Sequence, residues 1–582
     1  MPAATKHVLG LPRLVTCLQS GYGRADFFAD LGAGVTVGVV ALPLAMAFAI
    51  ASGVSPQAGI YTGIIAGFLI SALGGSRVQI GGPTGAFIVV VYGIVSRYGL
   101  ANLVICTLGA GAILMALGAL RLGGLIRFIP VSIVIGFTNG IAVLILLSQV
   151  KDFLGLGVTL PDEFFARLRI LMTSLPELRL PDVVVGMLSL AVLLLWPKSV
   201  RSTGAILEAE AHGSPAPLPA PLPLPRDRAL GHAVRRGAGL IMRVPGPIVV
   251  LVVAALACAW LAVPLATIGT RFGGIPTGLP EFSLPVLSLS SMRDLIAPTI
   301  TIALLGAIES LLSARVADSM IGDRHDPNQE LIAQGVANLV APLFGGIPAT
   351  GAIARTATNV RTGARTPIAG MIHALTLLII VLAAAPLAKF IPLAALSAVL
   401  IVVAINMGDW KAFAEIRRYS VPYRVVLLTT FVFTVAFDLS TAVEVGLVLA
   451  SLFFIYRVSD LTRVEPVSTD NPAIAAYRVF GALFFGSVAK LEPLLEADAA
   501  ARVVVLDMHQ VISLDNTALE TLESLRHMLH ERRATLLLCA LNSHPDVQVR
   551  RSAFGKSLGA DNVLADFAAA MQRAQALATS TG

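Results

Sequence analysis

Between Phe27 and Tyr456 the chain is a succession of apolar stretches, broken only by Gly, Pro and short charged clusters. No other feature constrains the fold as strongly. In lipid every backbone N–H and C=O must find its partner within the protein, and a helix supplies it within its own segment. Fourteen segments can be marked. Seven lie at about 27–50, 57–74, 83–96, 101–120, 130–149, 182–197 and 246–263. The other seven lie at about 295–317, 329–344, 350–361, 367–386, 391–407, 421–437 and 440–456. Most reach the roughly 20 helical residues that cross a hydrocarbon core. Only 13% of the 582 residues are charged, against about 25% in an ordinary soluble protein. A large water-soluble core is excluded. After Arg463 the charge density becomes that of a soluble domain, so one part in lipid and one in water are expected.

The net charge of +7 does not point to nucleic acid, because the basic residues sit between apolar stretches and act as topology signals. An even number of spans puts both termini on one side. Arg24, Arg77, Arg121, Arg127, Arg243, Arg361 and Arg417 belong to that side, which is expected to be cytoplasmic, while Arg97, Lys151, Arg271 and Lys389 belong to the other. The first apolar run follows Arg24 and Asp30 and is too long for the core of a cleavable signal peptide. The cysteines, Cys17, Cys106, Cys258 and Cys539, are scattered with no metal-ligand spacing and read as packing residues. The run SPAPLPAPLPLP at 214–225 is expected to be an extended cytoplasmic loop.

The third and tenth segments are short and open alike. One begins Gly81-Gly82-Pro83-Thr84-Gly85-Ala86-Phe87, the other Gly345-Gly346-Ile347-Pro348-Ala349-Thr350-Gly351-Ala352. Each is third in its set of seven, and an odd number of spans per repeat forces the two copies into opposite orientation. That pattern marks inverted-repeat transporters whose broken helices meet near the midplane. A helix N-terminus presents unpaired N–H groups and about half a positive charge, so two such tips facing each other would hold an anion. Gly85 and Gly351 would admit a ligand close to the backbone, and Thr84 and Thr350 add hydroxyl donors. Ordinary Gly/Pro turns explain one such segment; matched copies favour the site.

Arg355, one helical turn beyond Gly351, is expected either to add positive potential to the site or to satisfy carbonyls as a structural cation. Glu309 is the one acid in its apolar span, with Ser313 four residues on and therefore on the same face. It reads as a proton carrier, as a Na+ ligand with Ser313, or as a static partner of Arg355. Pro43 is expected to break the first segment, and Phe48 either lines the site or is a core aromatic. Asp438 and Glu444 are expected at the interface at the start of the last span. The cluster Asp323, His325 and Asp326 reads as a polar loop with Asp326 or Asn328 capping the next helix. No hydrolase, kinase, nucleotide-binding or metal-ligand pattern is found.

Beyond Arg463 strands alternate with helices. AAYRVFGALFF, RVVVLDMHQV and TLLLCAL read as strands, LDNTALETLESLRHMLHERR as an amphipathic helix, and the remainder as helices. Asp515 or Asn516 is the natural N-cap of that helix, and Asp515 and Thr517 are candidates for a regulatory phosphorylation or anion-sensing point.

From Gly23 to Gln575 the chain resembles the SulP (sulfate permease) family of anion transporters with a C-terminal STAS domain. The likeness rests on ALPLAMAFAIASGVSPQAGIYTG (41–63), GGSRVQIGGPTGAF (74–87), LGAIESLLSARVADSM (305–320), NQELIAQGVANLVAPLFGGIPATGAIARTATNVRTGA (328–364) and LDNTALETL (514–522). It implies an all-α polytopic membrane domain of 14 spans in a 7+7 inverted repeat, split into core and gate domains and usually dimeric, followed by an α/β STAS domain. The expected boundaries are a cytoplasmic segment 1–24, a transport domain 25–458 with a Pro-rich cytoplasmic loop 198–245, and a STAS domain 464–575.

The resemblance further implies an anion site near Thr84, Gly85, Ala86, Gly351, Ala352 and Ile353, with Arg355 adding potential. Glu309 falls where Na+-coupled bicarbonate members carry Asp and proton-coupled members carry Glu. Na+ members have Thr where this chain has Ile353, and animal members tend to have Gln where Leu44 stands. The look of the whole chain is that of bacterial members that take dicarboxylates. The expectation is a secondary active transporter, not an enzyme, in a bacterial inner membrane. It would move a dicarboxylate or sulfate with protons by an elevator motion, without metal or cofactor, as a homodimer with a cytoplasmic partner for the STAS domain. Na+-coupled bicarbonate transport and an anion-sensing membrane anchor for the STAS domain are the alternatives.

Overall fold

The computed structural model describes residues 11–124, 129–161, 163–196, 245–261, 265–275, 278, 280–284, 293–437, 439–491 and 501–580. The Pro-rich run 214–225 and Asp438 lie outside them. Each of the fourteen expected segments carries a helix. The first seven are α1 (Arg24–Ala51), α2 (Pro56–Leu73), α3 (Phe87–Tyr98), α4 (Leu100–Ala119), α5 (Val131–Phe153), α6 (Leu180–Leu195) and α7 (Gly246–Leu261). The second seven are α8 (Ile296–Ile321), α9 (Pro327–Val340), α10 (Ile353–Arg361), α11 (Ile368–Ala388), α12 (Leu393–Met407), α13 (Val421–Ala436) and α14 (Leu439–Leu461). Six helices among the described residues are long and apolar enough to cross a membrane by themselves. At 12 and 9 residues, α3 and α10 are far too short, since about 1.5 Å per residue brings neither near a 30 Å core. Pro43 does not break the first segment; it sits inside the continuous 28-residue α1.

Packing divides these helices into two bundles. In one, α1 packs on α2 and α11, α2 on α9 and α11, α4 on α8 and α9, and α8 on α10. In the other, α5 packs on α12 and α13, α6 on α12, and α7 on α6. Exchanging each helix for its counterpart seven places on converts α1·α11 into α8·α4 and α5·α13 into α12·α6. The pairings therefore repeat. Glycines bring the axes close: Gly34 and Gly38 of α1 lie against Ala369–Ile372 and His373–Thr376 of α11, so these two run parallel. Gly111 and Gly118 of α4 lie against Gly335–Leu339 and Asn328–Ile332 of α9, which runs antiparallel. Both directions agree with strict alternation of fourteen spans.

The helical membrane part has one addition. The two-stranded ladder of β1 (Gly81–Gly82) and β2 (Thr350–Gly351) immediately precedes the two short helices. Extended backbone needs partners that a helix would have supplied internally, and here each segment is the other's partner.

The chain divides into two compact units, with the break after Leu447. The second holds a mixed five-stranded sheet in sequence order: β3 (Arg463–Val467), β4 (Ile474–Leu483), β5 (Val503–Leu514), β6 (Thr535–Cys539) and β7 (Val563–Leu564). Only the β3–β4 pair is antiparallel. One face is covered by α15 (Asn516–Glu531) through Leu519, Leu522, Leu525 and Leu529, the other by α17 (Phe567–Ser580) through Ala570 and Ala574; α16 (Ser543–Arg551) packs on β5 through the buried Val549. β3 and β7 occupy runs expected to be non-strand. β7 has two residues, and it exists because β6 offers it hydrogen bonds.

Candidate functional site

The two short helices are brought tip to tip by the ladder. Gly81 faces Gly351 and Gly82 faces Thr350, and the Ala352 amide donates to the Ile80 carbonyl at 2.8 Å. Ala86 and Ala352 are the N-cap residues of α3 and α10, and no side chain caps either end. Two amide-rich tips therefore share one neighbourhood, as the matched motifs required. Glycine is required by its φ at one of these positions and closely packed at another. Gly82 has φ of +141°, and a Cβ there would stand 2.7 Å from Arg355 Nη1; a Cβ on Gly351 would stand 1.6 Å from Gln79 Nε2.

α8 runs behind both tips and receives one threonine from each. Thr84 Oγ1 donates to Glu309 Oε2 at 2.8 Å, and Thr350 Oγ1 donates to the Gly306 carbonyl at 2.9 Å. Glu309 is half-buried, whereas Arg355 is 4% exposed. The Arg355 guanidinium reaches back to donate to the Pro83 carbonyl, directly before Thr84. A buried guanidinium needs such acceptors, and here it joins the second repeat's short helix to the first repeat's tip while acting electrostatically on Glu309.

Gly85 lies where the two bundles meet. A Cβ there would be 3.4 Å from Met407 Sδ on α12, and 3.6 Å from both Ile145 on α5 and Phe48 on α1. Phe48 is thus buried beside Gly85. Ile353, the first residue of α10, is half-buried. Ser313 is buried but does not join Glu309: its hydroxyl donates to Thr356 Oγ1 at 3.0 Å, and Thr356 Oγ1 accepts from the Ile80 amide at 3.0 Å. The spacing of four put the two residues on one side of α8. A neighbour from α10 then decided the partner.

Several supporting residues went unnoticed in the sequence. Glu330, fully buried on α9, accepts from the Gly75 and Ser76 amides and from Gln334, and so anchors the segment leading into β1. Asn338 pairs twice with the Ala349 backbone, and Thr62 holds Ile347, which anchors the segment leading into β2. Each repeat's second helix also reaches into the other's broken segment: α9 holds 75–76 and α2 holds 347. Periodicity offered no signal for this, because polar residues in an apolar helix announce burial without naming a partner. Asp326 caps α9 at the Asn328 and Gln329 amides, as its loop suggested.

In the tail, Asp515 Oδ1 accepts from the Ala518 amide at 2.8 Å and Oδ2 accepts from the Phe485 amide at 3.0 Å. Asp515 is therefore a cap that also ties the turn after β4. Thr517 is half-buried in the first turn of α15. Among the described residues no group of His, Cys, Asp and Glu could hold a metal ion.

Residues 27–430 match the model of the Sulfate permease family and residues 465–568 that of the STAS domain. The chain is 38% identical to the YvdB protein of Bacillus subtilis (strain 168) across 93% of this chain and 96% of that one. It is 27% identical to the bicarbonate transporter BicA of Synechocystis sp. (strain ATCC 27184 / PCC 6803 / Kazusa), across 85% of each. The fold is that of the murine Solute Carrier 26 family member A9 anion transporter in the inward-facing state. The TM-score is 0.81 at 18% identity, covering 99% of this chain and 96% of that one.

Proposed function

This chain belongs to the sulfate permease family of anion transporters, and from that premise we propose that it is a proton-coupled symporter of a divalent anion, sulfate or a dicarboxylate. It is a multi-pass membrane protein and not an enzyme. The observation that carries the proposal is the bond between Thr84 and Glu309 at the tip of α3. An ionised Glu309 beside that tip repels an incoming anion, and a proton on it removes the repulsion. Coulomb coupling at this range, partly shielded from water, is worth several kcal/mol. By linkage, whatever the proton adds to anion affinity the anion adds to proton affinity. Arg355 supplies the fixed positive charge and the two tips supply the amide donors.

The bundle of α1–α4 and α8–α11 is the moving element, sliding as an elevator against the bundle of α5–α7 and α12–α14. Gly85, at their junction, carries the anion across. The transport domain spans 25–458 and the STAS domain 464–575. The protein sits in a bacterial inner membrane with cytoplasmic termini, as a homodimer whose STAS domain receives a cytoplasmic regulator through Asp515 and Thr517.

Reconstituted into liposomes, the protein should accumulate sulfate or succinate down an imposed proton gradient. Glu309→Gln should lose that accumulation while keeping exchange across equal pH; full pH-driven accumulation by Glu309→Gln sinks the coupling role. A second reading is Na+-coupled bicarbonate uptake, whose substrate alone is suggested by the likeness to a bicarbonate transporter; it requires uptake that stops when Na+ is withdrawn. Saturable anion binding without any flux would instead identify an anion-sensing anchor for the STAS domain.

A further inference from the structure

We infer that the protein carries a second anion site, a cation-lined vestibule beside the C-terminal ends of α3 and α5 that collects dianions before they reach the paired tips. The inference rests on the reading of the chain as a dianion transporter. A cavity of about 470 Å³ lies between α1, α3, α5, α8 and the start of α14. It is roomy enough for sulfate or a four-carbon dicarboxylate with some of its water. Ile88, in the first turn of α3, and Arg97, in its last, both line it, so the cavity runs along α3 from the tip to the C-terminal end.

The charges in this cavity are not balanced at its wall. Arg97, Lys151, Arg167 and Arg271 all line it. Arg271 Nη1 is paired with Asp152 Oδ1 at 2.7 Å. Arg167 is 6% exposed, donates to the Pro161 carbonyl at 3.0 Å and lies over the Tyr92 ring. Lys151 is half-buried and forms no ion pair among the described residues. Four cations therefore share the wall with three acids, Asp152, Asp294 and Glu444. Arg97, Arg271, Asp294 and Glu444 are exposed, where water screens them, so the charges less open to water are Lys151 and Arg167 against Asp152 alone.

An excess of positive charge in a partly enclosed cavity concentrates anions and speeds their entry. A dianion gains twice the Coulomb energy of a monoanion in the same field, so the vestibule discriminates by charge before the tips discriminate by shape. A lysine suits this role because its ammonium is a mobile point charge on a flexible stem, which can bind an anion and release it. Asp152, the residue next to Lys151 in the chain, is engaged by Arg271.

The test uses the full chain in liposomes with external sulfate. Lys151→Gln should raise the KM for sulfate about five-fold at low ionic strength, with Vmax unchanged and the difference fading as salt is added. Lys151→Arg should restore the wild-type KM, and Arg169→Gln, an exposed cation outside the cavity, should leave it unchanged. A KM unmoved in Lys151→Gln, or moved equally in Arg169→Gln, overturns the site. A second readout does not need transport. In a Cys258→Ser background, a Ser148→Cys reporter in the cavity is labelled with anionic and cationic methanethiosulfonates. The anionic-to-cationic rate ratio should fall several-fold when Lys151→Gln is added, and sulfate should slow labelling only while Lys151 is present. An unchanged ratio removes the vestibule whatever the uptake result. A falling ratio in a protein that moves neither sulfate nor succinate keeps the vestibule and removes the proposed substrate class.

Discussion

The two broken helices start from matched motifs and do different work. Thr84-Gly85-Ala86 stands beyond the strand β1, as the free turn that starts α3, and Thr84 gives its hydroxyl to an acid. Thr350-Gly351 is itself the strand β2, with both residues held in the ladder and Thr350 turned onto a helix carbonyl. α3 is almost wholly apolar beyond its tip, while α10 carries Arg355, Thr356 and Asn359, each bonded to the first repeat's broken segment or to α8. The second repeat's tip is held in the ladder, and the first repeat's tip is an open turn beside Glu309 and the opposing bundle.

That division can be broken most decisively at the glycines. Gly351→Ala puts a Cβ within 1.6 Å of Gln79 Nε2, so the buried Gln79 side chain must leave the Ser310 carbonyl, at the upper end of the roughly 1–3 kcal/mol usual for overpacking strain. The folded yield after solubilisation and size-exclusion chromatography should fall. Gly85→Ala meets only ordinary contacts at 3.4–3.6 Å, so it should fold like the wild type and show its effect in uptake alone. Equal folding of both variants would erase the distinction between held tip and open turn.

Arg355→Gln comes next. Losing a buried, hydrogen-bonded cation that faces an acid costs about 3–5 kcal/mol, so it should lower thermal stability as well as abolish uptake. Arg355→Lys should recover part of the stability and little of the transport. Smaller again is the pair of threonines. Thr84→Val removes a bond to a carboxyl group, worth about 1.5–3 kcal/mol if the acid is ionised, whereas Thr350→Val removes a neutral bond worth about 1 kcal/mol. The first should change the pH dependence of uptake, measured from pH 5 to 8, and the second should not. The smallest effect on the tips belongs to a control in the tail. Asp515→Ala removes a helix cap worth about 1 kcal/mol and should destabilise the second unit in a proteolysis assay while leaving sulfate KM untouched.

Much of the molecule was legible in its sequence. The helices were, because lipid forces each apolar segment to bond within itself, so composition and secondary structure carry the same information. The meeting of the tips was legible from symmetry: an odd repeat inverts, and matched breaks then face each other. The sheet of the tail was read at its central strands β4, β5 and β6, whose runs are rich in aliphatic and aromatic residues. It was missed at β3 and β7, which are strands only because a neighbour lends them partners.

The sequence by itself determined the fourteen apolar helical segments, the position of the two breaks and the residue types gathered near them. Local periodicity and the cost of bare backbone in lipid fix all three. Only the tertiary structure decided who bonds to whom. Thr84 rather than Ser313 meets Glu309, Arg355 turns to Pro83, and Lys151 stands among arginines in a shared cavity. Those outcomes depend on segments up to hundreds of residues apart reaching the same few ångströms, and a hydrogen bond or ion pair is selected by that distance and not by spacing along the chain.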